Sequence, residues 1–130
     1  DRSFAVPSSR LLEAQAAHAP VFSYRFDWCS PLLGGVLGSC HALEIGFVFG
    51  TYNEKRAGLF FGSGTKADAL SQAMMQSWIA FAHGKEPWPR YDAAKRATMM
   101  FGDGDPHVTN APDDTRRAAW DMIPENRIGP

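Results

Sequence analysis

Few residues of this chain can move a proton near neutral pH. Four histidines, His18, His41, His83 and His107, and two cysteines, Cys29 and Cys40, are spread over 130 positions. His41 stands apart by its neighbours. The run Gly38-Ser39-Cys40-His41-Ala42-Leu43-Glu44 places it after small residues, with a glutamate three positions on. Small side chains leave room for a second group to reach the imidazole. An imidazole ordinarily titrates near neutrality, which suits a general base. A histidine that only completes or caps the loop fits the same pattern. His18 and His83 fall at expected helix C-termini, where a positive group is mildly favoured. His107 lies in Gly-Asp-Gly-Asp-Pro-His, where Asp103 and Asp105 resemble the opening of a calcium loop. The downstream glutamate of such a loop is missing, so a turn is expected.

Spacing argues against other chemistries. Cys40 adjoins His41, and neighbouring side chains on one backbone diverge, so a Cys-His pair is not expected. A nucleophilic serine in a layered sheet needs the strained G-x-S-x-G elbow. Neither Leu37-Gly38-Ser39-Cys40-His41 nor Phe61-Gly62-Ser63-Gly64-Thr65 supplies one. No H-E-x-x-H or C-x-x-C accompanies His41 and Glu44, so no metal is expected. No G-x-x-x-x-G-K-S/T phosphate loop occurs. Cys29 and Cys40, eleven positions apart, could form a bridge or remain two thiols.

The elements that would position His41 follow from periodicity. Pro7 can begin a helix that runs to about His18, and Ala19-Pro20 stops it. Val21 to Trp28 reads as a strand, with Phe22, Tyr24, Phe26 and Trp28 on one face and Ser23, Arg25 and Asp27 on the other. A loop from Cys29 to Cys40 follows. Residues 42–49 suit a short helix ended by Gly50, or a strand. Thr51 to Lys66 reads as a surface loop. Asp68 is expected to cap a helix over 69–83, closed by Gly84, with Leu70, Met74, Trp78 and Phe81 as its buried stripe. Ala97 to Phe101 reads as a strand and Gly102 to Pro112 as a turn-rich connection. Asp113 or Asp114 would cap a last helix through Trp120 to Ile123, ended by Pro124. Strands separated by helices point to an α/β layered sheet. Two strands alone leave long apolar edges, so the chain reads as one end of a larger fold.

Composition narrows the function classes. Hydrophobic residues make up 45% of the chain, enough for a core and too much for disorder. A net charge of −1 leaves no basic excess to neutralise phosphates, which argues against nucleic acid. No basic amphipathic stretch suggests a membrane surface, and no apolar run approaches the roughly 18 residues that span a bilayer. The start, Asp1-Arg2-Ser3-Phe4, carries neither an initiator methionine nor a signal peptide, so a front that has been trimmed or processed is expected.

Longer stretches carry more than any short motif. Val21-Phe22-Ser23-Tyr24-Arg25-Phe26, then Leu37 to Gly50 (LGSCHALEIGFVFG), resembles the C-terminal part of the type-B carboxylesterases. That family includes para-nitrobenzyl esterases and cholinesterases and has the α/β-hydrolase fold. Trp78-Ile79-Ala80-Phe81-Ala82-His83-Gly84 is similar to its late helix. Trp88-Pro89 with Tyr91, and Thr98 to Phe101, resemble its last strand region, and Asp114 to Trp120 its closing helix.

The resemblance implies an α/β fold: the C-terminal segment of an α/β-hydrolase, a few strands with flanking helices and an incomplete sheet. It implies that residues 1–130 are the C-terminal portion of that domain. By position His41 matches the family's catalytic histidine. Glu44 matches a glutamate that supports the site and is not the triad acid. Cys40 and Leu33 are implied to touch substrate. Many members have glycine after the histidine, where this chain has Ala42. The nucleophilic serine, the oxyanion loop and the acid belong upstream in the family, so the implied partners are the N-terminal part of the same enzyme and a small ester. No cofactor is implied. The implied activity is ester hydrolysis through an acyl-serine, with this segment inactive alone. A non-catalytic, cholinesterase-like binding or adhesion module is the alternative, as is a stand-alone domain pairing through its sheet edge.

Overall fold

The computed structural model describes residues 4–54 and 56–123. Asp1 to Ser3 and the expected stop at Pro124 lie outside the described residues. Among the described residues, five α-helices, α1 (Ala5–Ala16), α2 (Leu43–Val48), α3 (Gly58–Phe61), α4 (Thr65–Ala82) and α5 (Asp114–Asp121), accompany three strands: β1 (Ser23–Phe26), β2 (Ala97–Phe101) and β3 (His107–Asn110). The strands pair in the order β1–β2–β3. Strand β3 was expected to be a turn. Pro106 precedes it and its burial is slight, so no apolar alternation marks it. The five residues between β2 and β3 are too few for a parallel crossover, so the two form a hairpin. His107 therefore opens a strand, its Nδ1 3.0 Å from the Asp105 carbonyl. Asp103 of the connecting turn is ion-paired with Lys66.

The chain divides into two compact units. One comprises Asp1–Ser23, Arg90–Thr98 and Thr109–Pro130. Its helix α1 carries Pro7 in the first turn, where a missing N–H costs no helical bond. It ends at Ala16, short of His18, as Pro20 approaches. Arg117 of α5 lies 3.7 Å from Glu13 of α1 and 3.0 Å from Asp121. Arg96 pairs with Asp114 at 2.5 Å. Asp113 flanks α5 as its N-terminal residue without a side-chain cap.

The other unit, Tyr24–Pro89 and Met99–Val108, holds the main core. Strand β1 is shorter than the expected Val21–Trp28, because the chain turns into a loop at Trp28. Its alternation holds nonetheless. On one face Tyr24 packs edge-on to Trp78 with ring centroids 4.9 Å apart, and Phe26 and Trp28 each lie 5.6 Å from Phe47. On the other, Arg25 grips the Asp27 carboxylate at 2.8 Å. Burial, and to a lesser degree the charge of Glu44, push the Tyr24 phenol pKa up.

Helix α4 begins at Thr65, three residues before the expected cap. Gly64 turns the chain there, and Asp68 lies inside the first turn, where it accepts the Tyr52 hydroxyl. Burial first, then that hydrogen bond and the Asp68 charge, push the Tyr52 pKa up to about 12. Leu70 and Met74 are buried and Trp78 half-buried, but Phe81 is 56% exposed. Phe81 lies on the expected stripe but in the last turn of the helix, one residue before its end. Gly84 closes α4 at φ +71°: Lys85 N–H donates to Ala80 and Gly84 N–H to Phe81, both at 2.9 Å, a Schellman arrangement. The stretch 51–66 is not all loop, since α3 interrupts it.

Candidate active site

Residues 28–40 form a loop whose two ends meet. Ser30 N–H donates to the Gly38 carbonyl at 3.0 Å, and Ser39 Oγ donates to the Trp28 carbonyl at 2.6 Å. Closed ends of this kind define an Ω-loop. The base of the loop is also fastened to α3: Trp28 Nε1 donates to the Phe61 carbonyl at 2.7 Å, and the buried Ser30 hydroxyl donates to Phe60 O. Periodicity places the Trp28 ring on the aromatic face of β1, but it marks none of these hydrogen bonds. The only sequence signal is polar residues bracketing a glycine-rich stretch.

His41 leaves this loop in a turn, exposed to solvent. The turn is closed by Leu43 N–H donating to the Cys40 carbonyl at 3.2 Å. Helix α2 then starts at once. Of the two expected forms for 42–49, the helix is the one present. Leu43 and Phe47, four positions apart, are fully buried, so α2 presses one face into the core and leaves its start at the surface. Ser71 of α4 donates to the Phe47 carbonyl at 2.8 Å, tying down the far end. Gly46 lets α2 approach α3, since an added Cβ would overlap the Phe61 ring.

Glu44 sits in the first turn of α2, where a carboxylate is favoured by the helix dipole. It is half-buried and acts electrostatically on Tyr24. His41 and Glu44 thus share one turn-to-helix junction. Cys40 is half-buried and Cys29 exposed, both as free thiols. Leu33, 71% exposed, lines an open depression of about 570 Å³ with Trp28, Pro31, Leu32 and Leu59. His41, Cys40 and Glu44 lie outside that lining.

Ala42 adopts φ +64° and ψ +4°, the left-handed region. A Cβ there crowds the following carbonyl and costs about 1 kcal/mol or more. The conformation itself is required, because it swings the chain from the His41 turn into α2. Ala42→Gly is therefore expected to raise stability by about 1 kcal/mol, read as a higher urea midpoint at unchanged slope. A lower midpoint would show that the alanine methyl contributes packing that outweighs the strain.

The arrangement as a whole is a sheet strand, a loop beyond it, an exposed histidine and a helix packed on the core. Solved structures with the same arrangement are esterases of the α/β-hydrolase fold. A carboxylesterase of Geobacillus stearothermophilus superposes with a TM-score of 0.72 at 33% identity, over 86% of this chain and 24% of its own. An esterase from Clostridium hathewayi gives 0.79 at 22% identity, over 95% and 25%, a likeness of fold alone. The described sheet and helices are thus part of an α/β-hydrolase fold.

The carboxylesterase family profile matches residues 1–120, and the chain belongs to that family. The para-nitrobenzyl esterase of Bacillus subtilis is 33% identical over 125 residues, 90% of this chain and 25% of its own length. The phenmedipham hydrolase of Pseudarthrobacter oxydans is 31% identical over 113 residues, 79% and 23%. The chain spans about a quarter of the length of these relatives.

Proposed function

We propose that this chain is the histidine-bearing, C-terminal portion of a serine carboxylesterase. The observation that carries the reading is the exposed His41, held between a loop tied at its base and a helix with one face packed on the core, in a chain of the carboxylesterase family. A hydroxyl from another part of the polypeptide can reach an imidazole so placed. In the proposed reaction the N-terminal part supplies the serine, the oxyanion donors and the triad acid. His41 takes the serine proton as the hydroxyl attacks the ester carbonyl, then gives it to the departing alcohol. It next takes a proton from water as the water oxygen attacks the acyl carbonyl, then returns that proton to the serine oxygen as the carboxylic acid departs. The Glu44 carboxylate supports the turn, and Leu33 and Cys40 meet the ester. No step calls for a cofactor.

The reading is tested by assaying a short aryl ester with the full-length protein, the 130-residue chain, and that chain mixed with its N-terminal complement. The full-length protein and the reconstituted mixture are expected to show an acyl-enzyme burst and turnover. The 130-residue chain alone is expected to show neither, because it lacks two triad members and the oxyanion donors. Turnover by the chain alone, retained after contaminating esterases are removed, would refute this division of labour. A full-length protein without turnover would favour a binding role.

A further inference from the structure

Ser39 lies two residues before His41, and the proposed reaction gives it no part. Its hydroxyl donates to the Trp28 carbonyl at 2.6 Å. Trp28 is a fixed point. Its ring is buried against Phe47, with centroids 5.6 Å apart, and its indole N–H donates to the Phe61 carbonyl at 2.7 Å. Behind Ser39 the loop is already held, through Ser30 N–H on Gly38 O and the Ser30 hydroxyl on Phe60 O. Ahead of His41, α2 is anchored by the buried Leu43. Between these holds the backbone passes Ser39, Cys40, His41 and Ala42. The Ser39 hydroxyl is the side-chain tie in that span that reaches the core through Trp28.

We propose that Ser39 is a positioning residue for His41. Its hydroxyl fixes residues 39–41 against Trp28, so the imidazole is presented in one place. This inference rests on the reading of His41 as the general base. Its physical basis is that proton transfer demands reacting atoms about 3–3.5 Å apart, while a neutral hydrogen bond near the surface adds little stability. Loss of the hydroxyl therefore acts on rate far more than on folding.

The test uses the full-length protein with Ser39→Ala and Ser39→Thr. Ser39→Ala is expected to lower kcat on a short aryl ester by about 10- to 100-fold, with KM within about twofold and the urea midpoint close to wild type. Ser39→Thr, which keeps the hydroxyl, is expected to restore kcat. The His41 imidazole NMR resonances are expected to shift or broaden in the alanine variant and not in the threonine variant. A kcat within about twofold of wild type in Ser39→Ala, or an equal loss in both variants, would overturn the role. If the wild-type protein shows no ester turnover, the esterase reading fails and the imidazole resonances decide alone. An unchanged signal in Ser39→Ala then overturns the positioning role, and a shifted signal upholds it.

Discussion

His41→Ala, in the full-length protein, is expected to lower kcat for ester hydrolysis by about 10⁴- to 10⁶-fold. On the proposed mechanism, removing the imidazole takes away four proton transfers at once: from the serine, to the leaving alcohol, from the attacking water, and back to the serine. A residual rate above that of water should remain, from the oxyanion donors and substrate binding. The same substitution should leave the fold nearly untouched. His41 is exposed in a turn, and surface changes of this kind usually fall within about 0.5 kcal/mol. A large loss of rate with an unmoved urea midpoint is therefore the signature of a chemical role. His41→Gln, which keeps a polar side chain of similar reach, should be as inactive, because an amide cannot accept and return a proton at neutral pH. A kcat within tenfold of wild type in either variant would remove His41 from the reaction.

How legible this arrangement was depends on the kind of signal each part leaves. Strand β2 was readable to the residue, since Ala97 to Phe101 is a short, mostly apolar run that stops at Gly102 and the turn residues after it. The alternation of β1 was readable too, because a period of two sorts aromatics from the Arg25–Asp27 pair whatever the strand's exact ends. The start of α4 was misplaced because Asp68 has the composition of a cap but serves Tyr52, sixteen positions away in sequence. Strand β3 and helix α3 are short and gain their form from neighbours, so no local period announces them. At the site, His41 was singled out by the small residues before it, and its catalytic role was implied by resemblance alone. Its surroundings were not legible: the Ser39–Trp28, Ser30–Phe60 and Trp28–Phe61 ties are side-chain to backbone bonds across 11 to 33 positions. The left-handed Ala42 was equally hidden, because alanine carries no sign of the conformation that the turn imposes on it.

Phe47→Ala should be the most damaging change to the fold in this part of the chain, at about 3–5 kcal/mol. The ring is fully buried and meets four others: Phe26, Trp28, Phe61 at 6.0 Å and Tyr52, which stacks on it at 5.1 Å. Truncation removes the transfer free energy of a benzyl group and leaves a cavity whose aromatic walls cannot easily collapse. The aromatic contacts add about 0.5–1.5 kcal/mol beyond the area buried. Natural domains hold only about 5–15 kcal/mol in total, so this one change takes a large share. It also loosens the element that follows His41, since Phe47 and Leu43 are the two side chains that seat α2. Phe47→Leu fills most of the space and should cost about 1–1.5 kcal/mol, which separates lost volume from lost ring contacts. Urea unfolding checks both: the alanine midpoint should fall at least twice as far as that of leucine, at a common slope. A cost below about 1.5 kcal/mol for the alanine variant would mean that the cavity collapses and that Phe47 does not seat the helix as described.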